Sequence, residues 1–96
     1  MSHSLGPLAN NLAAYAIYST AQTEMRHAYK LIDAGDYLGA AAEIDSAARA
    51  AEVLARATFD LDAERSERWL RVVAARKRFA EQARARASDT GLAVAA

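Results

Sequence analysis

Thr58-Phe59-Asp60-Leu61-Asp62-Ala63-Glu64 sets the path of the chain. It holds neither glycine nor proline, so nothing in it forces a helix to stop. Asp60 or Asp62 is nonetheless suited to cap a new helix, and acidic residues favour a first turn, where the helix dipole is positive. On both sides a seven-residue phase runs unbroken through Tyr37, Ile44, Ala51, Thr58, Arg65, Val72, Phe79 and Arg86. If the chain turns here, it folds back as a three-helix bundle. If it does not, a helix from 37 to about 87 extends roughly 75 Å at 1.5 Å per residue. A first helix of roughly 42 Å then covers little more than half of it, and the long hairpin must be completed by a second chain. We expect the folded-back bundle, with the completed hairpin as the alternative.

Upstream, Ala34-Gly35-Asp36-Tyr37 is a clear break. Gly35 can take the left-handed conformation that ends a helix, and Asp36 can cap the next. So short a connection makes the flanking helices antiparallel. The first segment is expected from about Pro7, favourable in a first turn, to Ala34. Its larger residues form two seven-residue series, one through Leu8, Tyr15, Gln22 and Tyr29, the other through Tyr18, Met25 and Ile32. That is the seam of an antiparallel or coiled-coil-like helix, widened by Ile17 and Leu31. The second helix, 37–59, turns Ala40, Ile44, Ala47, Ala48, Ala51, Leu54, Ala55 and Thr58 inward. Its outer face offers Asp45–Arg49 and Glu52–Arg56 pairs four apart. The third segment, 62–87, ends at the polar Ser88-Asp89-Thr90-Gly91. Residues 1–6 and 88–96 are expected to be mobile, leaving one helical domain over 7–87.

Composition agrees with an all-α class. The 96 residues include no cysteine, one proline and four glycines, and 26 of the 51 apolar residues are alanine. Breakers are too few for an all-β chain, apolar content is too high for disorder, and a disulfide framework or thiolate zinc site is impossible. Alanine buries little area, so the core is thin, which favours self-association.

Twelve basic and twelve acidic groups cancel, but residues 1–61 carry net −3 and residues 62–96 net +3. This is not the strongly basic profile of a dedicated nucleic-acid domain. No apolar run is long enough to span a membrane, and Leu12–Tyr18 lacks the basic flank of a signal peptide. An intracellular, cytoplasmic location is the expectation.

Ala28, Leu31, the Gly35-Asp36-Tyr37 turn, Ala40, Ile44 and Ala47 together resemble a single tetratricopeptide-type helix-turn-helix over residues 24–51. Glu24, His27 and Glu52 depart from that family's pattern, and no second copy follows, so no solenoid groove can form. The resemblance implies helix-pair geometry and a protein-interaction role, and carries over no peptide-binding residues.

Chemistry-bearing patterns are few. His27 with Glu24 offers two metal ligands on one turn, but no further pair repeats the motif that di-metal bundles need. No glycine-rich phosphate loop appears, and no spacing joins Ser19, Ser46 or Ser66 to a histidine held by an acid. We therefore expect no enzyme, cofactor or metal. Arg68, Arg71, Arg78 and Arg86 share one helical stripe, with Glu64 and Glu67 in or beside it. Such a stripe is either a solvated face with Glu64–Arg68 and Glu67–Arg71 pairs or a contact for nucleic acid or another anion. Arg65 and Arg76 fall inside the apolar arc of Trp69, Val72, Phe79 and Ala83, where they either snorkel outward or meet an acid of a facing helix such as Glu24, Asp33 or Glu43.

The expected function is that of a non-enzymatic helical interaction or assembly subunit. Its partner would be a second copy, as a homodimer, or another helical protein, with Tyr15, Tyr18, Tyr29, Trp69, Val72 and Phe79 as anchors. The alternative is a small nucleic-acid-associated factor using the arginines of the 65–86 helix.

Overall fold

In the computed structural model, which describes the backbone of residues 3–95 and the side chains of residues 3–89, the chain turns between Thr58 and Ala63. The N–H groups of Leu61 and Asp62 both donate to the Thr58 carbonyl, at 3.0 and 2.8 Å. The Asp62 carboxylate then accepts from the Arg65 N–H at 3.0 Å and caps the next helix. No residue of this turn takes a positive φ, so it needs no glycine. The result is a three-helix bundle of α1 (Leu12–Asp33), α2 (Tyr37–Thr58) and α3 (Ala63–Ala95), preceded by a 3-10 turn at Gly6–Leu8. A single helix through 58–64 is thereby excluded.

The seven-residue phase across this turn is only apparent. In α2 it runs through buried Ile44, Ala51 and Thr58, whereas the buried positions of α3 are Ser66, Trp69, Val73, Ala80 and Ala83. The core phase therefore slips by one residue at the turn. Arg65, Val72, Phe79 and Arg86 lie on a neighbouring flank of α3, where Phe79 meets Tyr29 of α1.

At the first turn Gly35 has φ +82°, its N–H donates to Ile32 O, and the Asp36 N–H donates to Leu31 O at 2.8 Å. This double closure uses the last carbonyls of α1 and needs a left-handed residue at position 35. Asp36 caps α2 by accepting from the Gly39 N–H at 2.9 Å.

α2 is the middle element in space as in sequence, and packs along both α1 and α3. Its whole expected inner face, Ala40 through Thr58, is buried. In α1 the buried residues are Ala14, Ala21 and Ala28, not the Tyr15, Gln22, Tyr29 series one position on. Methyl groups at seven-residue spacing let the helix backbones approach, and the tyrosines are pushed to the edge of the contact. Two apolar clusters result, one around Leu5, Leu54, Trp69 and Val73, the other around Ala28, Ile44, Ala80 and Ala83.

Both expected ends are corrected. Pro7 belongs to the 3-10 turn, and α1 begins at Leu12 with Asn11 as its cap, accepting from the Ala14 N–H at 3.0 Å. Leu5 and Leu8 are core residues, so residues 3–8 are docked by burial. α3 continues past Ala87 to Ala95, because Ser88–Gly91 lacks both a proline and a left-handed residue. The expectation of loose ends at Met1, Ser2 and Ala96 lies outside the described residues. α3 has 33 residues against 22 in each of its partners, and the long axis of the molecule measures 53 Å.

Candidate functional site

α1 and α3 both pack on α2 and meet each other mainly through side chains. The cleft between them is bridged by two aromatic pairs. Tyr18 meets Trp69 edge-on with centroids 6.2 Å apart, and Tyr29 meets Phe79 at 5.6 Å. The sequence-derived anchors are thus brought together in one surface, but not equally. Trp69 is buried within its own chain, Tyr18, Val72 and Phe79 are half-buried, and Tyr15 and Tyr29 are about half exposed, at 48% and 55%. Trp69 therefore needs no second chain to cover it and works first as a core residue. Its indole Nε1 is buried without a hydrogen-bond partner. Gln22, on the same wall, donates to the Tyr18 hydroxyl at 3.0 Å.

A cavity opens at each end of the cleft. One, of about 460 Å³, is lined by Ile32, Tyr37, Phe79, Gln82, Ala83 and Arg86, with Ala85 and Asp89. The other, of about 360 Å³, is lined by Ser4, Arg65, Arg68, Trp69 and Val72. Arg86 stacks over the Tyr37 ring at 5.7 Å.

The arginines divide into structural and free groups. Arg65 reaches the N-terminal segment, donating to His3 O at 3.1 Å and Ser4 O at 3.2 Å while its Nε lies 3.3 Å from Asp62. Arg76 donates to Ala47 O, and burial pushes its guanidinium below its ordinary value against the opposing field of Glu24. Neither arginine forms an ion pair with Glu24, Asp33 or Glu43. Instead Glu24 accepts from Ser46 and Glu43 sits 3.3 Å from His27, so the Glu24–His27 pair is not brought together. Arg84 pairs with Asp45 across α2 and α3, displacing the expected Asp45–Arg49 pair, while Glu52–Arg56 forms at 3.3 Å. Arg68, Arg71, Arg78 and Arg86 are all exposed. Glu64–Arg68 and Glu67–Arg71 are absent from the ion pairs of the described residues.

Two features escaped the sequence reading. His3 meets Tyr18 edge-on, with ring centroids 5.1 Å apart, and so belongs to the aromatic cluster. Phe59, Leu61 and Leu70 form a second exposed apolar surface by the α2–α3 turn, at 63%, 60% and 52% exposure. Leu70 lies on the far side of α3 from Val72, so this surface is separate from the cleft. Ser66 donates to Ala55 O at 2.6 Å, and Ser46 is held by Glu24. Among the described residues no helix is long and apolar enough to cross a membrane.

Comparison of the chain with protein-family models, with curated proteins and with solved structures finds no match.

Proposed function

We propose that this chain is a non-enzymatic helical interaction or assembly subunit that receives a helix of another chain in the α1–α3 cleft. The single observation carrying this reading is that cleft itself. Tyr29 and Phe79 face each other at 5.6 Å, yet Tyr29 remains more than half exposed and Phe79 only half-buried. Aromatic side chains exposed along a rigid groove are the usual anchors of helix-in-groove association. The tetratricopeptide-like pattern over 24–51 supports the same role. The other chain is a second copy, giving a homodimer, or a different helical protein.

A photo-reactive phenylalanine analogue at position 29, in cells that produce the protein, is expected to join it to one discrete partner band. The same group at exposed Ala42, on the outer face of α2, is expected to join nothing. Light scattering separates the two kinds of partner. Equal cross-linking at both positions, or none at position 29, would sink the proposal.

A second reading, binding of nucleic acid, rests on the exposure of Arg68, Arg71, Arg78 and Arg86 along α3. Replacing all four by glutamine should then lower affinity similarly for unrelated sequences, because phosphate contacts position without reading bases. Absence of DNA and RNA binding at low salt removes this reading.

A further inference from the structure

We infer that the occupant of the α1–α3 cleft is an acidic amphipathic helix of another protein, an inference that rests on the assembly reading above. Three observations converge on it.

The first is the shape of the cleft. Its walls are two helices bridged by aromatic pairs, and no strand edge is present among the described residues to accept an extended peptide. Val72 borders one cavity and Phe79 the other. Seven residues separate them along α3, about 10.5 Å or two helical turns. That is the spacing at which one face of a docked helix presents successive apolar anchors.

The second is the charge of the rim. Arg68, Arg71, Arg78 and Arg86 are exposed along the side of α3 that borders the cleft, and Arg26 is exposed on the flank of α1. The acids on that side of α3, Glu64, Glu67 and Asp89, lie towards its two ends, so the middle of the rim is basic. None of them closes an ion pair with these four arginines. Uncompensated guanidinium groups beside an apolar groove favour a partner carrying carboxylates on either side of its apolar stripe.

The third concerns the competing occupant. A two-fold symmetric dimer through this cleft would set the same patch against itself, bringing Arg71 and Arg78 close to their own copies. Like charges so placed oppose association. The rim therefore selects against a second copy as it selects for an acidic helix.

The test uses two labelled helical peptides built on one alanine–glutamine host, each with leucines seven residues apart. One flanks the leucines with glutamates, the other with lysines. Fluorescence anisotropy is read against the full chain, together with the emission of Trp69, the only tryptophan, which lines one cavity. The glutamate peptide should bind at least about tenfold tighter than the lysine peptide and lose that advantage as salt rises past the Debye regime. Arg71→Gln with Arg78→Gln should abolish the preference with the circular dichroism spectrum unchanged, since both side chains are exposed. Tyr29→Ala should weaken both peptides.

Equal binding of the two peptides, a preference that survives the paired arginine replacement, or no binding of the glutamate peptide overturns the inference. A dimer dissolved by Tyr29→Ala that ignores the peptide also overturns it, while leaving assembly standing with a second copy in the cleft. A monomer that ignores both peptides and cross-links to nothing at position 29 overturns both proposals. Tighter binding of a random DNA duplex than of the glutamate peptide overturns the inference in favour of nucleic acid.

Discussion

The guanidinium of Arg76 donates to the main-chain carbonyl of Ala47 at 2.8 Å, from the middle of the buried face of α3. A helical carbonyl spends one lone pair on its own ladder and keeps a second for a side chain. Arg76 takes that second site between the two apolar clusters, one containing Trp69 and Val73, the other Ala80 and Ala83. Burial of the charge is unfavourable and draws the guanidinium below its ordinary pKa. Arg76→Met, which fills the same space without a charge, should therefore leave stability unchanged or raise it, as apolar replacements of buried ions do. Urea unfolding checks this, and a loss above about 1 kcal/mol would show that the carbonyl bond outweighs the burial of the charge.

Trp69 offers the converse case. Its ring packs in the core while its N–H has no acceptor. Trp69→Phe removes an unsatisfied donor along with some apolar area. It should cost less than about 1 kcal/mol, whereas Trp69→Ala should cost about 3–5 kcal/mol. Equal losses for the two variants would refute this account of the indole.

A Cβ built on Gly35 meets no atom within 4 Å, so the restriction there is purely one of backbone. Gly35→Val should lower stability by about 1–2 kcal/mol. D-alanine, introduced by chemical synthesis, should be tolerated at the same position. An unchanged melting temperature for Gly35→Val would mean that the turn tolerates a right-handed residue.

Asp62 carries a pH dependence. The N–H of Arg65, followed by its side chain, holds this carboxyl below its ordinary 3.8. The folded chain thus binds the proton less readily than the unfolded one. The resulting stabilisation is present above that ordinary value and is lost as pH falls through it towards the lower folded value. Melting temperatures of the native chain and of Asp62→Asn should accordingly converge as the solution is acidified from neutrality. A gap that stays constant with pH would assign the effect to the uncharged cap alone.

The N-terminal segment should come loose when its clamp is removed. Arg65→Gln deletes the donors to His3 O and Ser4 O, and hydrogen exchange at the amides of Leu8 and Ala9 should quicken. Leu5→Ala, at a fully buried site, should cost about 2–5 kcal/mol. Unchanged exchange in Arg65→Gln would place the clamp elsewhere.

Much of this architecture is legible in the chain because α2 is governed by one rule. Its apolar stripe has no competitor, and Ala40 through Thr58 fall on it without ambiguity. α1 misleads because it carries two candidate stripes, and size favours the tyrosines. Packing favours Ala14, Ala21 and Ala28 instead, since helix approach is limited by the largest residue in the seam. That alanine repeat is itself a signal in the sequence, masked by the larger tyrosines beside it. At the α2–α3 turn the continuing phase through Arg65 and Val72 keeps one long helix open as the alternative to the bundle. It belongs to the cleft-facing flank of α3, so a pattern that looks like core is the wall of the candidate site. The burial of Leu5 and the Arg65 clamp depend on residues some sixty positions apart, and no local pattern encodes that pairing.

The central position of α2 also governs how the molecule comes together in time. Each hairpin closes through a short connection, Ala34–Asp36 or Phe59–Asp62, so little chain entropy is lost in bringing neighbouring helices into register. A topology in which sequence neighbours are the main packing partners has low contact order, which places folding in the microsecond-to-millisecond range. Either hairpin can nucleate on α2, and the remaining helix then docks against a surface already formed. Docking of the N-terminal segment, through His3 and Ser4 on Arg65 and through Leu5 in the cluster with Trp69 and Val73, closes a far longer loop and is the step left for last.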